Sequence, residues 1–220
     1  TRNLGLLRGR LAALAEGTRA RAEALLAREG ELAAAGRWLG DQPLQSLRIR
    51  THGDYHLGQV LWTGRDFVII DFEGEPAQPL AERRTKRSPL RDVAGMVRSF
   101  HYAAYQGLAA ARTRPLVPAS SFGHGEGERP DELEGWARTW YRTAAAAFLR
   151  AYLGAARGGA VLPARAAELR GLLDLFLIEK ATYELGYELD HRPDWVALPL
   201  QGLEDHLGSA APRGAEGGAR

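Results

Sequence analysis

The fold and the chemistry of this chain both depend on one dense run of functional groups, His52-Gly53-Asp54-Tyr55-His56-Leu57-Gly58-Gln59. A short strand is predicted before it, over 47–51, where apolar residues alternate with arginines. A β-hairpin is predicted after it, over 60–71, because two apolar runs flank the turn sequence Thr63-Gly64-Arg65-Asp66. The second strand of that hairpin ends at Asp71. A two-stranded hairpin is not stable alone, so it must pack on a larger body.

That body is predicted to be helical, which makes the fold class mainly α with one small β-hairpin. Leucines recur at helical spacing in the first forty residues, and similar stripes follow the hairpin. The Trp136, Trp140 and Phe148 stripe is expected to lie in the core. The expected segments are a helical region over 4–39 with a break at Gly17-Thr18 and Thr18 as N-cap, an irregular loop over 74–90, a helix over 93–107 with Asp92 as N-cap, a loop over 113–130, a helix over 131–155, a last helix from Pro163 to Leu189, and a disordered tail over 208–220.

Three side chains around the hairpin suit phosphoryl transfer. That reaction needs a carboxylate that accepts the proton of the attacking hydroxyl, and oxygen ligands that hold Mg²⁺ on the phosphates. Asp54 is the candidate base, while Gln59 and Asp71 are the candidate Mg²⁺ ligands, because Mg²⁺ prefers oxygen donors. The residues therefore predict Mg²⁺ as a cofactor and phosphoryl transfer to a small hydroxyl as the reaction.

The spacing is similar to that of the protein kinases, in which His-Arg-Asp, four residues and Asn precede a strand and Asp-Phe-Gly. The His-Gly-Asp form at 52–54 resembles the aminoglycoside phosphotransferase branch of the kinase-like fold. With the flanking segments 60–62, 66–76, 86–96 and 179–200, the chain resembles the maltokinase family, which makes maltose 1-phosphate from maltose and ATP and is often fused to trehalose synthase.

This resemblance implies a C-terminal kinase-like lobe over 1–207, with the catalytic hairpin at 47–73. The family's preceding lobe, which covers ATP and supplies a phosphate-binding lysine, is expected to be absent from this chain. Maltose and ATP are the implied substrates, and a fused or bound trehalose synthase is a possible partner. Asp92 in such a lobe bonds the backbone of the catalytic loop. His52 is expected to support the same loop, and His56 either contacts substrate or packs in the loop.

A second candidate site lies on the last predicted helix. Its apolar stripe continues, at the same spacing, into Lys180, Tyr183, Glu184 and Tyr187. A stripe that becomes aromatic and charged indicates a helix leaving the core for a wet cleft. Aromatic rings and charged groups together suit a sugar. The alternative is a surface ion pair between Lys180 and Glu184.

Three other interpretations fit the same residues. His52, Asp54 and His56 alternate as the ligands of a metal hydrolase do, although the other histidines are scattered. Another small-molecule kinase of the same fold, with an aminoglycoside-like or choline-like acceptor, carries the same residues. A non-catalytic partner domain of a trehalose synthase is the alternative from a different class.

Composition excludes several other classes of protein. The 220 residues contain no cysteine, so disulfides and thiolate chemistry are excluded. Lys and Arg number 29 against 27 Asp and Glu, and this near balance does not favour nucleic-acid binding. No apolar run approaches the roughly 18 residues that a membrane span needs. A cytoplasmic protein is therefore expected.

Overall fold

The computed structural model describes residues 2–37, 45–75, 78–113 and 130–209. The elements are α1 (Arg2–Arg10), α2 (Glu16–Ala27), α3 (Glu29–Arg37), β1 (Val60–Trp62), β2 (Phe67–Ile69), α4 (Leu80–Arg83), α5 (Leu90–Thr113), α6 (Pro130–Ala155), α7 (Ala166–His191) and α8 (Ala197–Ser209). Single 3-10 turns lie at Leu11–Ala13, Leu57–Gln59 and Pro193–Trp195. The predicted architecture, mainly helical with one two-stranded antiparallel hairpin, is confirmed.

The chain forms two compact units, Thr1–Leu44 with Arg170–Arg220 and Gln45–Leu169. In the first unit, leucines from α1 to α3 pack against buried residues of α7 and α8. Its core consists of Leu4, Leu7, Leu14, Ala22, Leu25, Leu32, Ala181, Leu185, Leu189, Val196, Leu200, Leu203 and Leu207. The Arg21 guanidinium adds a two-pronged ion pair to Glu204, with distances of 3.1 and 2.7 Å.

In the second unit, α5 and α6 pack against each other, and the Leu57–Gln59 turn before the hairpin contacts α5. The stripe predicted on α5 is buried, with Val93, Met96 and Val97 among its members. The β1–β2 register pairs Val60 with Ile69 and Trp62 with Phe67. The turn between the strands is closed by a hydrogen bond from the Thr63 amide to the Asp66 carbonyl, at 2.9 Å.

Several predicted boundaries are wrong. Thr18 is not an N-cap, because α2 begins at Glu16 after Ala15. The predicted strand over 47–51 is reduced to one isolated bridge between Ile49 and Arg87, since no other strand lies beside it in the described residues. Pro163 precedes α7 by three residues and does not occupy its first turn. The tail predicted from 208 overlaps α8, which ends at Ser209.

The aromatic stripe of α6 is also placed differently from the prediction. Trp136 and Trp140 are 73% and 51% exposed, so they are not core residues. Phe148 and Trp140 contact the Phe100 ring edge-on, at 5.8 and 6.5 Å between ring centroids. The helix therefore packs mainly through its C-terminal half, around the buried Ala145. The predicted loop over 113–130 and most of the predicted tail lie outside the described residues.

No helix in the described residues combines the length and the apolar character that crossing a bilayer requires.

Candidate active site

His52 links the loop after residue 51 to the end of β2. Its Nε2 lies 2.7 Å from the Ile70 carbonyl, and its Nδ1 accepts the Asp54 amide at 3.3 Å. Because Nδ1 accepts, the ring proton lies on Nε2 and is donated to Ile70. The buried ring also packs against Phe72, at 5.1 Å between centroids. His52 thus holds the Asp54 backbone and the residue before Asp71 in one arrangement.

Asp92 holds the same loop from α5. Its carboxylate accepts the amides of His52 and Gly53, at 2.6 and 2.9 Å. Burial raises the pKa of the Asp92 carboxyl, and the two amides oppose that effect by stabilising the charged form. Burial, followed by the Asp92 charge, raises the pKa of Tyr55 and of Tyr152. The predicted N-cap role is wrong, since Asp92 is the third residue of α5 and bonds a distant loop.

One face of α5 supports the loop at two further points that sequence reasoning missed. A Cβ on Gly95 would lie 2.6 Å from the Tyr55 carbonyl oxygen, so only glycine allows this approach. The Leu57 amide donates to the Ser99 hydroxyl at 2.9 Å. Asp92, Gly95 and Ser99 are spaced as neighbours on one helix face. The small residues at helical spacing after Asp92 were the signal that could have identified this face.

We expect Gly95→Ala to destabilise the chain and Gly107→Ala to stabilise it. At Gly95 the added methyl group collides with backbone, and overpacking of this kind costs about 1–3 kcal/mol. Gly107 lies in the same helix, and a Cβ there meets nothing within 4 Å. Alanine should therefore add up to about 1 kcal/mol of helix propensity at that position. Urea unfolding of both variants measures the difference in free energy of unfolding. Equal stabilisation by both changes would contradict the close contact between α5 and the loop.

Asp54 lies beside His56 in the loop. The His56 Nε2 is 3.6 Å from Asp54 Oδ2, and its Nδ1 accepts the Gly58 amide at 3.0 Å. In the neutral ring the proton therefore lies on the nitrogen that faces Asp54. A Cβ on Gly58 would come within 2.8 Å of the imidazole, so a larger residue at this position would displace the His56 ring. Asp54 is partly buried, with a side-chain exposure of 19%.

Gln59 and Asp71 are brought together by the strand pairing. Because Val60 pairs with Ile69, Gln59 lies opposite Ile70, and the Ile70 amide donates to the Gln59 carbonyl at 3.0 Å. The Gln59 Nε2 donates to Asp71 Oδ2, also at 3.0 Å. Asp71 has a φ of 61°, a left-handed conformation that is uncommon for a residue other than glycine. Such conformations cluster at functional sites.

This pair fits a magnesium ion in its chemistry. Both side chains carry an oxygen donor, and the Asp71 side chain is exposed beside that of Gln59. As a ligand, Gln59 would present its amide oxygen in place of the amide nitrogen that now faces Asp71. The hydrolase alternative fits poorly, because backbone groups occupy both ring nitrogens of His52. Among the described residues no three His, Asp or Glu side chains could hold a metal together.

The second predicted set lies on α7, in the other compact unit. The Lys180 ammonium is 5.3 Å from the centroid of the Tyr183 ring. Lys180, Tyr183 and Glu184 are half-buried and Tyr187 is exposed, as a stripe leaving the core would be. The Tyr187 ring stacks on His191, at 4.4 Å between centroids. The imidazole therefore covers one face of the Tyr187 ring, which was predicted to contact the sugar.

The end of α7 is held by a guanidinium that sequence reasoning did not single out. Arg192 forms a two-pronged ion pair with the buried Glu188, at 2.9 and 2.8 Å. The same guanidinium lies 5.4 Å from the Tyr187 centroid and 5.2 Å from that of Trp195. A bidentate pair with aromatic neighbours is the arrangement that arginine favours over lysine. This contact fixes the helix end that carries Tyr187.

Comparisons with known sequences point to phosphotransferases. Residues 2–75 match the model of the phosphotransferase enzyme family APH. A glucosamine kinase of Mycolicibacterium smegmatis is 40% identical over 106 residues, which are 47% of this chain and 25% of that protein. A glucosamine kinase of Streptacidiphilus jiangxiensis is 29% identical over 164 residues, or 72% of this chain and 32% of that protein.

Solved structures give the same fold. A glucosamine kinase in complex with glucosamine, ADP and inorganic phosphate superposes with a TM-score of 0.66 at 26% identity. The superposition covers 94% of this chain and 46% of that one. Glucosamine kinase in its crystal form B also gives a TM-score of 0.66. The identity is 23%, so this likeness shows the fold alone.

The comparisons confirm the predicted fold class, that of the APH and protein-kinase-like enzymes. They support a relationship to sugar kinases of that superfamily, and they do not support maltokinase specifically. These relatives and the complexed structure are glucosamine kinases. The chain spans less than half the length of these proteins.

Proposed function

We propose that this chain is the catalytic-loop portion of an ATP-dependent sugar kinase. The observation that carries the proposal is the Gln59–Asp71 pair, joined through the hairpin register to the loop that presents Asp54. Contacts from His52 and Asp92 to the loop backbone support that arrangement. A structural domain gains nothing from placing exposed carboxylate and amide groups side by side.

Each polar group then has one task in the reaction. Asp54 accepts the proton of the sugar hydroxyl as that oxygen attacks the γ-phosphorus of ATP, and ADP leaves. Asp71 and Gln59 hold Mg²⁺, which neutralises charge on the phosphates when bound. His56, with its proton toward Asp54, orients that carboxylate. Catalysis of this kind is mostly positioning and electrostatics, which explains the many backbone anchors of the loop.

Glucosamine is the acceptor that we favour. Both curated relatives and the complexed structure carry that name, and an ammonium group on a sugar needs a carboxylate partner. Glu184 on α7 supplies a carboxylate beside aromatic Tyr183 and cationic Lys180. Maltose, phosphorylated at its anomeric hydroxyl, is the second candidate and rests on the maltokinase resemblance. A cytoplasmic location, where ATP is available, remains a prediction.

The remaining parts of the kinase come from outside this chain in our proposal. A nucleotide-covering lobe, of the kind that precedes the catalytic loop in the resembled family, supplies the phosphate-binding lysine. Residues 1–207 then form the acceptor-binding and catalytic portion. The solved glucosamine kinases are long enough to include such a lobe, because this chain covers only 45–46% of their length.

The α7 set is tested by Glu184→Gln and Lys180→Met in the chain joined to that lobe. Loss of a charged contact is worth about 1.5–3 kcal/mol, so we expect the KM for sugar to rise about 10- to 100-fold. The KM for ATP should change little. Glu179→Gln, an exposed carboxylate on the same helix, serves as the matched control and should leave both constants unchanged. An equal rise in the KM values for sugar and for ATP would show that Lys180 and Glu184 support the fold and do not bind the sugar.

A further inference from the structure

The turn that follows Asp71, over 72–74, packs against the loop that precedes the hairpin. Gly74 is buried and has a φ of 80°, a conformation that glycine adopts without strain. A Cβ on Gly53 would lie 3.2 Å from the Gly74 Cα atom, and a Cβ on Gly74 would lie 3.4 Å from the His52 carbonyl oxygen. The end of this turn is therefore in close contact with the backbone that leads into Asp54.

The side chain of Arg83, the last residue of α4, also covers Gly74. Its Cγ and Cδ atoms lie 3.6 Å from the position that a Gly74 Cβ would take, and its Nη1 donates to the Glu73 carbonyl at 3.3 Å. The segment that follows Arg83 is itself anchored, because Arg87 and Ile49 exchange two backbone hydrogen bonds of 2.9 Å. Arg83 therefore packs on the turn from an anchored position.

The backbone conformation of Asp71 needs support of this kind. Its φ of 61° is sparsely populated by residues other than glycine, and such conformations persist only where surrounding contacts enforce them. Before Asp71, the Ile70 amide and carbonyl are bonded to Gln59 and His52. After Asp71, the contacts of Arg83 with the turn over 72–74 hold the chain. The conformation is thus enforced from both sides.

We propose that Arg83 is a positioning residue, which holds the turn after Asp71 against the loop that presents Asp54. The inference rests on the proposed function and adds a side chain that sets the separation between the proton acceptor and the metal ligand. Arg83 acts through the turn and does not touch substrate. Because phosphoryl transfer depends on positioning, a displacement of about 1 Å at the reacting groups can cost about 100-fold in rate.

The first experiment uses the 220-residue chain alone and measures no activity. The backbone carbon chemical shifts of Asp71 report its φ and ψ angles by NMR. We expect Arg83→Ala to move these shifts away from left-handed values and toward those of extended backbone. Arg83→Lys keeps a long aliphatic chain and a donor, so its Asp71 shifts should stay near those of the parent. Arg84→Ala, at the exposed neighbouring residue, is the matched control and should leave them unchanged.

The second experiment measures ADP release by the chain joined to a nucleotide-covering lobe. Arg83→Ala should lower kcat about 10- to 100-fold and leave the KM for sugar within about twofold of the parent, because the turn moves while the sugar-binding residues do not. Arg83→Lys should recover most of the lost kcat, and Arg84→Ala should match the parent. The thermal midpoint of Arg83→Ala should fall less than that of Leu90→Ala, which changes a fully buried residue.

Three outcomes would overturn the proposal. They are unchanged Asp71 shifts in Arg83→Ala, a raised KM for ATP with unchanged kcat, which would make Arg83 a nucleotide ligand, and a fall in thermal midpoint like that of Leu90→Ala in both Arg83 variants, which would make it a core residue. Failure of the proposed function is distinguishable. A joined parent protein that releases no ADP with sugar rejects the kinase, and the Asp71 shifts then decide alone whether Arg83 holds the turn.

Discussion

Asp71→Asn is expected to abolish Mg²⁺-dependent ATP turnover in the chain joined to a nucleotide-covering lobe, while the protein stays folded. Asparagine keeps the size of the side chain but removes the negative charge that holds the metal on the phosphates. Loss of one group that stabilises transition-state charge typically costs about 100- to 1,000-fold in kcat. The side chain is exposed and its hydrogen bond comes from Gln59, so the fold depends little on the charge.

A matched control lies at the other end of the same hairpin. Asp66→Asn makes the same chemical change in the turn, where the carboxylate accepts the Phe67 amide at 2.7 Å. We expect ADP release by Asp66→Asn to remain near that of the parent, and both variants to unfold at similar temperatures. Activity of Asp71→Asn within tenfold of the parent would reject Asp71 as a metal ligand.

The 220-residue chain alone is expected to show no sugar-dependent ADP release. Asp54, Gln59 and Asp71 are present, but ATP would be held from one side only and water would not be excluded from the phosphates. Positioning provides most of the catalysis in phosphoryl transfer, so the loss should be several powers of ten in rate. A coupled ADP-release assay, run beside the joined protein, makes the comparison. Equal rates from the two proteins would mean that this chain contains a complete nucleotide site.

The hairpin and its polar residues could be predicted because their signals are local. Two apolar runs around Thr63-Gly64-Arg65-Asp66 predict the strand pair, and the pair's register then brings Gln59 and Asp71 together. Helix existence was equally predictable from leucine spacing. The ends of the helices could not be predicted in this way, since α2 begins without a side-chain cap and α8 continues past the predicted start of the tail.

The errors have a common physical cause, which is packing between distant segments. Aspartate is a common N-cap residue, but the Asp92 carboxylate accepts hydrogen bonds from a loop about forty residues earlier in the chain. Gly95 supports the same loop through a backbone approach that leaves no signal in apolar periodicity. Trp136 continues an apolar stripe beyond the part of α6 that packs. Sequence spacing defines a face of a helix but not what covers it.

The residues on α7 that we propose to bind the sugar also show that sequence spacing does not reveal what covers a helix face. Spacing places Lys180, Tyr183, Glu184 and Tyr187 on one stripe, and the half-buried to exposed side chains agree with a helix leaving the core. Periodicity could not anticipate that His191 stacks on Tyr187, or that Arg192 fixes the helix end through Glu188.

The most direct test of the account measures ADP release by the joined protein with glucosamine, with maltose and without sugar. We predict release that depends on glucosamine and on Mg²⁺. That release should be lost in Asp54→Asn and in Asp71→Asn, and retained in Asp66→Asn. Sugar-dependent release that persists in both Asp54→Asn and Asp71→Asn, or a folded joined protein that releases ADP with neither sugar, would contradict it.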